Sequence, residues 1–505
     1  MRVVGASLVG TGAELITVEA RFEAQERERT EVLVTGLPDP VIRESRGRLL
    51  SALEENRLRL ARGRLLLNLV PAGRRKSGES LDLPLVLGAA GASGHVAAAR
   101  FSGTLFLGEV GIDGMLYAVP GGLAAALAAR DAGLSRVIAP PAMASEAACV
   151  PGLDVRSATH LAQVLAHLTH DEEVLARVAP PQDPPVARRS IGLDEVRGQA
   201  TAKWALAAAA AGEHGLLLVG PPGAGKSMLA RRLVGLMAPA TLEERLEITG
   251  VLSAAGRWPG GLASERPFRA PHHTASHVGL VGGGSQLAPG EITLAHRGVL
   301  FLDELPEFSR EALESLRQPL ESGRVRISRA GRSIEFPARF QLVAAMNPCP
   351  CGYLGQLQVP CRCPPAHVQR YRRRISGPLL DRVELRVELT PPSLAELAPR
   401  AGDAPDAGPR EEQLARAVDR ARQAARARGQ TRPNAELEAA ELDALAPLDG
   451  AARRLIERAS EERAFSARAL QSLRRVARTL ADMQGAEATS ARHLAQALAL
   501  RAPLG

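Results

Sequence analysis

The chain has 505 residues, of which 45% are hydrophobic and 23% charged, with a formal net charge of +8. At roughly 150 residues per domain this leaves room for about three domains with packed cores. No apolar run approaches the ~20 residues that span a bilayer, so no helical membrane segment is expected. Met1–Ala20 lacks the basic flank, apolar centre and cleavage site of a secretory leader, and the expected location is the cytoplasm. Lysine occurs only at 76, 203 and 226, the rest of the positive charge being arginine. A basic surface favours a polyanionic partner without identifying one.

In chain order, residues 1–169 mix short apolar runs with turn signals. Arg64–Leu69 and Thr104–Leu107 predict strands and Leu123–Ala132 a helix, giving an α+β N-terminal domain. Residues 170–190, HDEEVLARVAPPQDPPVARRS, are proline-rich and read as a linker. Residues 191–390 carry strand-like runs at Gly215–Val219, Val299–Leu302 and Phe340–Ala345, with helical segments between them. That is the pattern of an α/β parallel-sheet core with crossover helices. Residues 391–410, rich in Pro, Ala and Gly, read as a second linker. Residues 411–505 show helical periodicity through Leu455, Ala459, Leu470, Leu473, Val476 and Leu480, which predicts a C-terminal helical domain.

The strand Leu216–Val219 runs directly into GPPGAGKS, and Met228–Met237 reads as the helix that follows. This strand–loop–helix context is what a phosphate-binding loop requires. The glycines among Gly220, Pro221, Pro222, Gly223, Ala224 and Gly225 let backbone N–H groups converge on phosphate oxygens, and the helix N-terminus adds its dipole. Lys226 is expected to reach the β- and γ-phosphates of ATP, and the Ser227 hydroxyl to ligate Mg²⁺. VLFLDE supplies the partner: a core strand, Val299–Leu302, ending in Asp303 to hold Mg²⁺ through water and Glu304 to polarise the attacking water. Asn347, at the end of the strand FQLVAAMNP, either orients that water or simply opens an Asn-Pro turn. Arg374, Arg382 and Arg468 are candidates to meet the charge that develops on the transferred phosphoryl group, and spacing does not select among them.

Cys349, Cys351, Cys361 and Cys363 form CPC-x9-CRC. Four thiols this close suit a tetrahedral structural Zn²⁺, with free thiols as the alternative. His272 and His273, read as part of a strand, are expected on opposite faces in a structural or pore-lining role rather than as a metal pair. RVRISRAGRSIEFPARF reads as a hairpin with basic residues Arg324, Arg326, Arg329 and Arg332. It suits sequence-independent contact with DNA phosphates, or else an edge blunted by charge. HVGLVGGGSQLAPGE, residues 277–291, reads as a mobile glycine-rich loop.

RPFRAPHHTAS, GGGSQLAPGEITLAHRGVLFLDELPEF, LRQPLESGRVRISRA, FPARFQLVAAMNPCPCGY and RRRISGPLLDR resemble the YifB/ComM family of magnesium-chelatase-like AAA+ proteins, as do VTGLPDPVIRESRGRL and FLGEVGIDG near the N-terminus. The resemblance implies an ATPase in which Asn347 is a sensor, Arg382 the arginine finger acting in trans (with Arg374 its rival) and Arg468 the second sensor of a helical lid. A finger acting in trans implies a ring, expected to be a hexamer. Members of the ComM type are DNA branch-migration helicases serving natural transformation, so single-stranded or branched DNA is the implied partner. A chelatase-like motor that remodels a protein is the alternative. The N-terminal domain also resembles the Lon protease domain. Ser80 stands near the nucleophile position there, but Ala124 occupies the lysine position, which leaves only Lys76 as a substitute base. A non-proteolytic module is therefore expected rather than an ATP-dependent protease.

Overall fold

The computed structural model describes residues 1–25, 30–38, 40–58, 60, 62–71, 79–170, 174–181, 192–284, 288–329, 332–356, 359–391, 408–463 and 465–502. Most of the second linker and Lys76 lie outside them. The chain is mixed α/β and builds two main sheets.

The N-terminal sheet has seven strands in the order 31–35, 63–70, 12–24, 2–9, 104–106, 136–139, 154–157. Its first half is largely antiparallel and its second half parallel. The expected strands appear at Gly63–Val70 and Thr104–Phe106, and the expected helix at Gly122–Asp131. The first part of the predicted linker does not hang free. Val178 donates its N–H to Val155 O at 2.8 Å, and Leu175 is buried against the sheet. Val178 also packs on an apolar cluster, and Arg156 Nη1 donates to Leu175 O at 2.9 Å, so burial and hydrogen bonds together hold that segment on the strand edge.

The second sheet is wholly parallel, in the order 268–269, 299–302, 341–346, 216–219, 385–388. Its central strands, LLLV, VLFL and QLVAAM, are buried at every position. Continuous apolar runs of this kind belong to parallel strands covered on both faces. The helix Lys226–Leu236 packs through Leu229, Ala230, Leu233 and Leu236, the i, i+4, i+7 spacing of one helical face.

The C-terminal helices Glu411–Ala427 and Ala467–Met483 share one hydrophobic cluster with this sheet, Leu414, Val418, Leu473 and Val476 packing with Leu206 and Leu233. A buried polar chain crosses the same junction. His214 Nδ1 bonds the Glu384 carboxylate, and His214 Nε2 lies 2.7 Å from Thr479 Oγ1. Asn434 Nδ2 donates to Thr479 Oγ1 at 2.9 Å and to Asp482 Oδ2 at 3.0 Å, and Arg428 and Arg478 both ion-pair with Asp482. A buried network of this kind is costly when its members lose their partners, so these bonds favour the docked arrangement of the two parts.

The N-terminal unit is also joined to the second sheet's surroundings. The buried Glu146 carboxylate accepts from Leu123 N at 3.1 Å and from Ser253 Oγ at 2.6 Å, Ser253 lying on the helix Leu242–Ala254.

Candidate nucleotide site

Parallel strands bring their C-terminal ends to one edge, where ligands of open α/β sheets bind. At that edge GPPGAGKS leaves the strand Leu216–Val219, Asp303 and Glu304 leave Val299–Leu302, and Asn347 leaves Gln341–Met346. Gly223 and Gly225 take φ of 79° and 86°, values that only glycine adopts readily, and Gly225 is the N-cap of the helix that begins at Lys226.

Lys226 Nζ donates to Gly220 O at 2.7 Å, Pro221 O at 2.9 Å and Asn347 Oδ1 at 3.0 Å. The ammonium thus ties the loop to the strand carrying Asn347, and the same three donors suit phosphate oxygens. Burial lowers its pKa below the ordinary lysine range, an effect that the nearby Asp303 and Glu304 oppose. Ser227 Oγ donates to Asp303 Oδ2 at 2.6 Å, so the hydroxyl and carboxylate expected to hold Mg²⁺ already face each other. Glu304 has φ 53° and ψ 46°, the left-handed region, which costs a non-glycine residue about 1–3 kcal/mol. Its N–H donates to Asp303 Oδ1 at 3.0 Å, and its carboxylate Oε2 lies 3.1 Å from His273 Nδ1.

His273 was not expected here. The strand Phe268–Arg269 stops after two residues, and the histidines stand in the turn that follows, with ring centroids 4.2 Å apart. Strand alternation therefore does not apply, and the expectation of opposite faces is corrected. Residues 285–287 of the glycine-rich segment 277–291 lie outside the described residues. A short helix, His277–Val281, leads into Gly282–Gly283, which pairs with Ala288–Pro289.

The arginines divide. Arg374 Nη1 lies 2.9 Å from Glu307 Oε2, three residues beyond Glu304. Arg382 stands at the other edge of the sheet. A Cβ on Gly215, just before the strand Leu216–Val219, would lie 2.9 Å from Arg382 O. Four strand residues, about 13 Å, therefore separate Arg382 from the phosphate-binding loop of its own chain. Its guanidinium pairs with Glu321, and Arg468 Nη2 reaches the same carboxylate oxygen at 3.3 Å. Arg468 therefore stands beside Arg382 on the same carboxylate.

The cysteines do converge. Cys349 Sγ lies 3.4 Å from Cys351 Sγ and 3.6 Å from Cys361 Sγ, with Cys351 and Cys361 3.7 Å apart and all four donors within 4.8 Å. A tetrahedral Zn²⁺ with ~2.3 Å bonds to sulfur needs edges of about 3.8 Å, so the set fits. Backbone N–H groups of Tyr353 and Arg362 pull the Cys351 thiol down to about 6. Against the pull of the Cys363 N–H, desolvation and the neighbouring Cys349 and Cys351 sulfurs push Cys361 up to about 12, so the crowded sulfurs do not all favour the thiolate.

The basic hairpin forms as Arg324–Arg329 and Arg332–Pro337. Arg324 and Arg326 are exposed, and both pair with Glu335 across the hairpin. The side chains of Arg329 and Arg332 lie outside the described residues. In the N-terminal unit Ser80 is buried and its Oγ donates to Ala6 O at 2.7 Å, while Ala124 is buried on its helix.

Known proteins agree on what this arrangement belongs to. The family described as magnesium chelatase, subunit ChlI, matches residues 192–397; related descriptions of the same subunit match residues 18–143 and, for its C-terminal part, 409–501. The class is therefore that of magnesium-chelatase-like proteins, whose core is of the ATPase type. Protein YifB of Salmonella typhimurium is 38% identical over 98% of this chain and 95% of its own length. Competence protein ComM of Haemophilus influenzae is 38% identical over 98% of this chain and 96% of its own. An uncharacterised protein of Mycobacterium tuberculosis is 38% identical over 99% and 98%. The chain belongs to the YifB/ComM family.

Proposed function

We propose that the chain is one subunit of an ATP-driven ring, a hexamer, that remodels DNA in the manner of a branch-migration helicase. The observation that carries the ATPase reading is the meeting of Lys226, Ser227, Asp303 and Asn347 at one sheet edge, with Glu304 beside them. Gly220–Ser227 binds the phosphates. Ser227 and Asp303 hold Mg²⁺, which supplies charge neutralisation on the phosphates when bound. Glu304 takes the proton of the attacking water and Asn347 orients that water. Arg382 and Arg468, standing away from their own loop, serve the nucleotide of the adjacent subunit.

The DNA part rests on two supports: the exposed basic hairpin Arg324–Pro337, and near full-length similarity to a relative named as a competence protein. Arg324, Arg326, Arg329 and Arg332 contact backbone phosphates, which arginine holds without reading sequence. The N-terminal domain, residues 1–169, is a Lon-like module without peptidase activity: Ser80 is committed to a backbone carbonyl, and Ala124 supplies no base. The core spans 191–390 and the helical lid 411–505, and the cysteine set holds a structural Zn²⁺. The compartment is the cytoplasm.

The test is an ATPase and branch-migration assay on a four-way junction. Wild type is expected to resolve the junction with ATP and to hydrolyse faster when forked DNA is added, and Lys226→Ala to do neither. If DNA neither binds nor stimulates hydrolysis, the motor acts on another partner and the DNA reading fails.

A further inference from the structure

We propose that the four-cysteine loop is a prop for the phosphate-binding loop of the same chain, so that metal occupancy sets nucleotide affinity. The inference rests on the reading of Gly220–Ser227 as the nucleotide site.

The cysteine loop begins two residues after Asn347, where the buried strand Gln341–Met346 ends. Gly352, the residue after Cys351, has φ 87°. A Cβ placed on it would lie 2.6 Å from Pro222 Cδ, 3.0 Å from Pro222 Cγ and 3.9 Å from Asn347 Cγ. The backbone of the cysteine loop is therefore seated directly on the second proline of GPPGAGKS, at a distance no side chain could share. From the other side Lys226 Nζ joins Pro221 O to Asn347 Oδ1. Loop, sensor residue and cysteine turn close a ring of contacts in which each holds the next.

What holds the cysteine turn is the second half of the argument. Gly352 N–H donates to Cys349 O at 2.9 Å, and Arg372 donates to Pro348 O at 3.3 and 3.2 Å from two guanidinium nitrogens. Among the described residues the sulfurs add to this fastening, because the donors of Cys349, Cys351, Cys361 and Cys363 lie within 4.8 Å of one another. A cation that joins the four sulfurs ties Cys349 and Cys351 to Cys361 and Cys363 and so fixes the turn at Gly352. Gly352 then presents a fixed surface to Pro222, and the phosphate-binding loop is held near the shape that receives phosphate. Preorganisation of this kind raises affinity by reducing the ordering that binding must otherwise impose.

The experiment uses the full chain and a fluorescent ADP analogue, with no DNA present. Zinc content and nucleotide affinity are measured on the protein as purified, after removal of metal by a chelator, and after addition of ZnCl₂. Stripping is expected to weaken nucleotide binding about fivefold or more, with recovery on adding Zn²⁺. Gly352→Ala is expected to weaken binding while zinc content stays at one per chain. Adding Pro222→Ala to that variant removes the ring atoms the new methyl would strike, and part of the affinity should return. Should stripping unfold the protein by circular dichroism, the Gly352→Ala and double-variant pair decides.

Unchanged nucleotide affinity in folded, metal-free protein overturns the proposal. So does a chain that takes up no zinc, or a Gly352→Ala protein that binds like wild type. A wild-type chain that binds no nucleotide at all instead refutes the reading of Gly220–Ser227, which keeps the two failures apart.

Discussion

At the C-terminal edge of the five-stranded sheet, Lys226, Ser227, Asp303 and Asn347 meet without help from outside the chain. At the N-terminal edge, Arg382 and Arg468 meet only on Glu321, a carboxylate of their own chain. The first edge has the donors, the hydroxyl and the acid that a Mg²⁺–nucleotide needs. The second has concentrated positive charge and no phosphate-binding loop. One chain thus carries two unlike halves about 13 Å apart along the sheet. The difference teaches that the preformed half is read most directly from local sequence, whereas the arginine half is defined by what it pairs with.

Breaking the first half should have the largest effect. Lys226→Ala removes the ammonium that bridges the loop to Asn347, and ATP turnover is expected to fall on the order of 10³-fold in a steady-state phosphate-release assay. Turnover near wild type would place the catalytic site elsewhere.

The second half is tested by mixing. Arg382→Ala and Arg468→Ala are each expected to lower turnover on the order of 10²-fold while leaving nucleotide affinity near wild type. Arg382 is largely buried, so the thermal midpoint of its variant must be shown to survive first. Either variant mixed with Lys226→Ala chains should regain part of the activity, since an intact loop on one subunit then meets intact arginines on the next. Mixtures no more active than their components would return both arginines to service in cis.

How much was legible follows the same division. The loop, the Asp-Glu pair and Asn347 announce themselves because each sits at the end of an unbroken apolar run, and parallel pairing places those ends together. The Glu321 contacts join residues 61 and 147 positions apart, and no periodicity reports such a meeting. His273 was misplaced because the strand before it is only two residues long, too short for its pattern to show where the turn begins. On the basic hairpin the arginines are legible in the sequence, but the register that sets Arg326 opposite Glu335 is not. Any phosphate that approaches these arginines has to compete with that carboxylate. The cysteine set was visible as a cluster, yet its seat on Pro222 is a property of backbone shape at Gly352 and leaves no mark in composition.

A smaller effect probes what holds the arginine edge together. Thr479 lies on the helix that starts at Ala467, beside Arg468, and bonds His214, which precedes the strand Leu216–Val219. Thr479→Val keeps the shape and leaves His214 Nε2 without its partner, at an expected cost of about 1–3 kcal/mol. Urea unfolding checks it, and an unmoved midpoint would show that the helices dock by apolar packing alone.

The smallest effect concerns the entry to the Asp-Glu strand, at the same edge as the arginines. Glu247 accepts from His296 Nε2 at 3.1 Å and from Arg297 Nε at 2.6 Å, and these bonds, His296 first, hold its carboxyl down to about 2. A carboxyl whose folded pKa is depressed stabilises the fold fully above its ordinary value near 4.5, and that stability is lost as pH falls from there toward 2. Glu247 is about half exposed, so solvent screening leaves about 1 kcal/mol of the effect. Wild type should therefore exceed Glu247→Gln in stability at pH 7 and at pH 5, and the gap should narrow by pH 3. A gap that stays constant down to pH 3 would mean that it comes from the amide N–H donors of Gln facing His296 and Arg297 rather than from ionisation of the Glu247 carboxyl. The ion pairs at this part of the N-terminal edge would then contribute little through their charge.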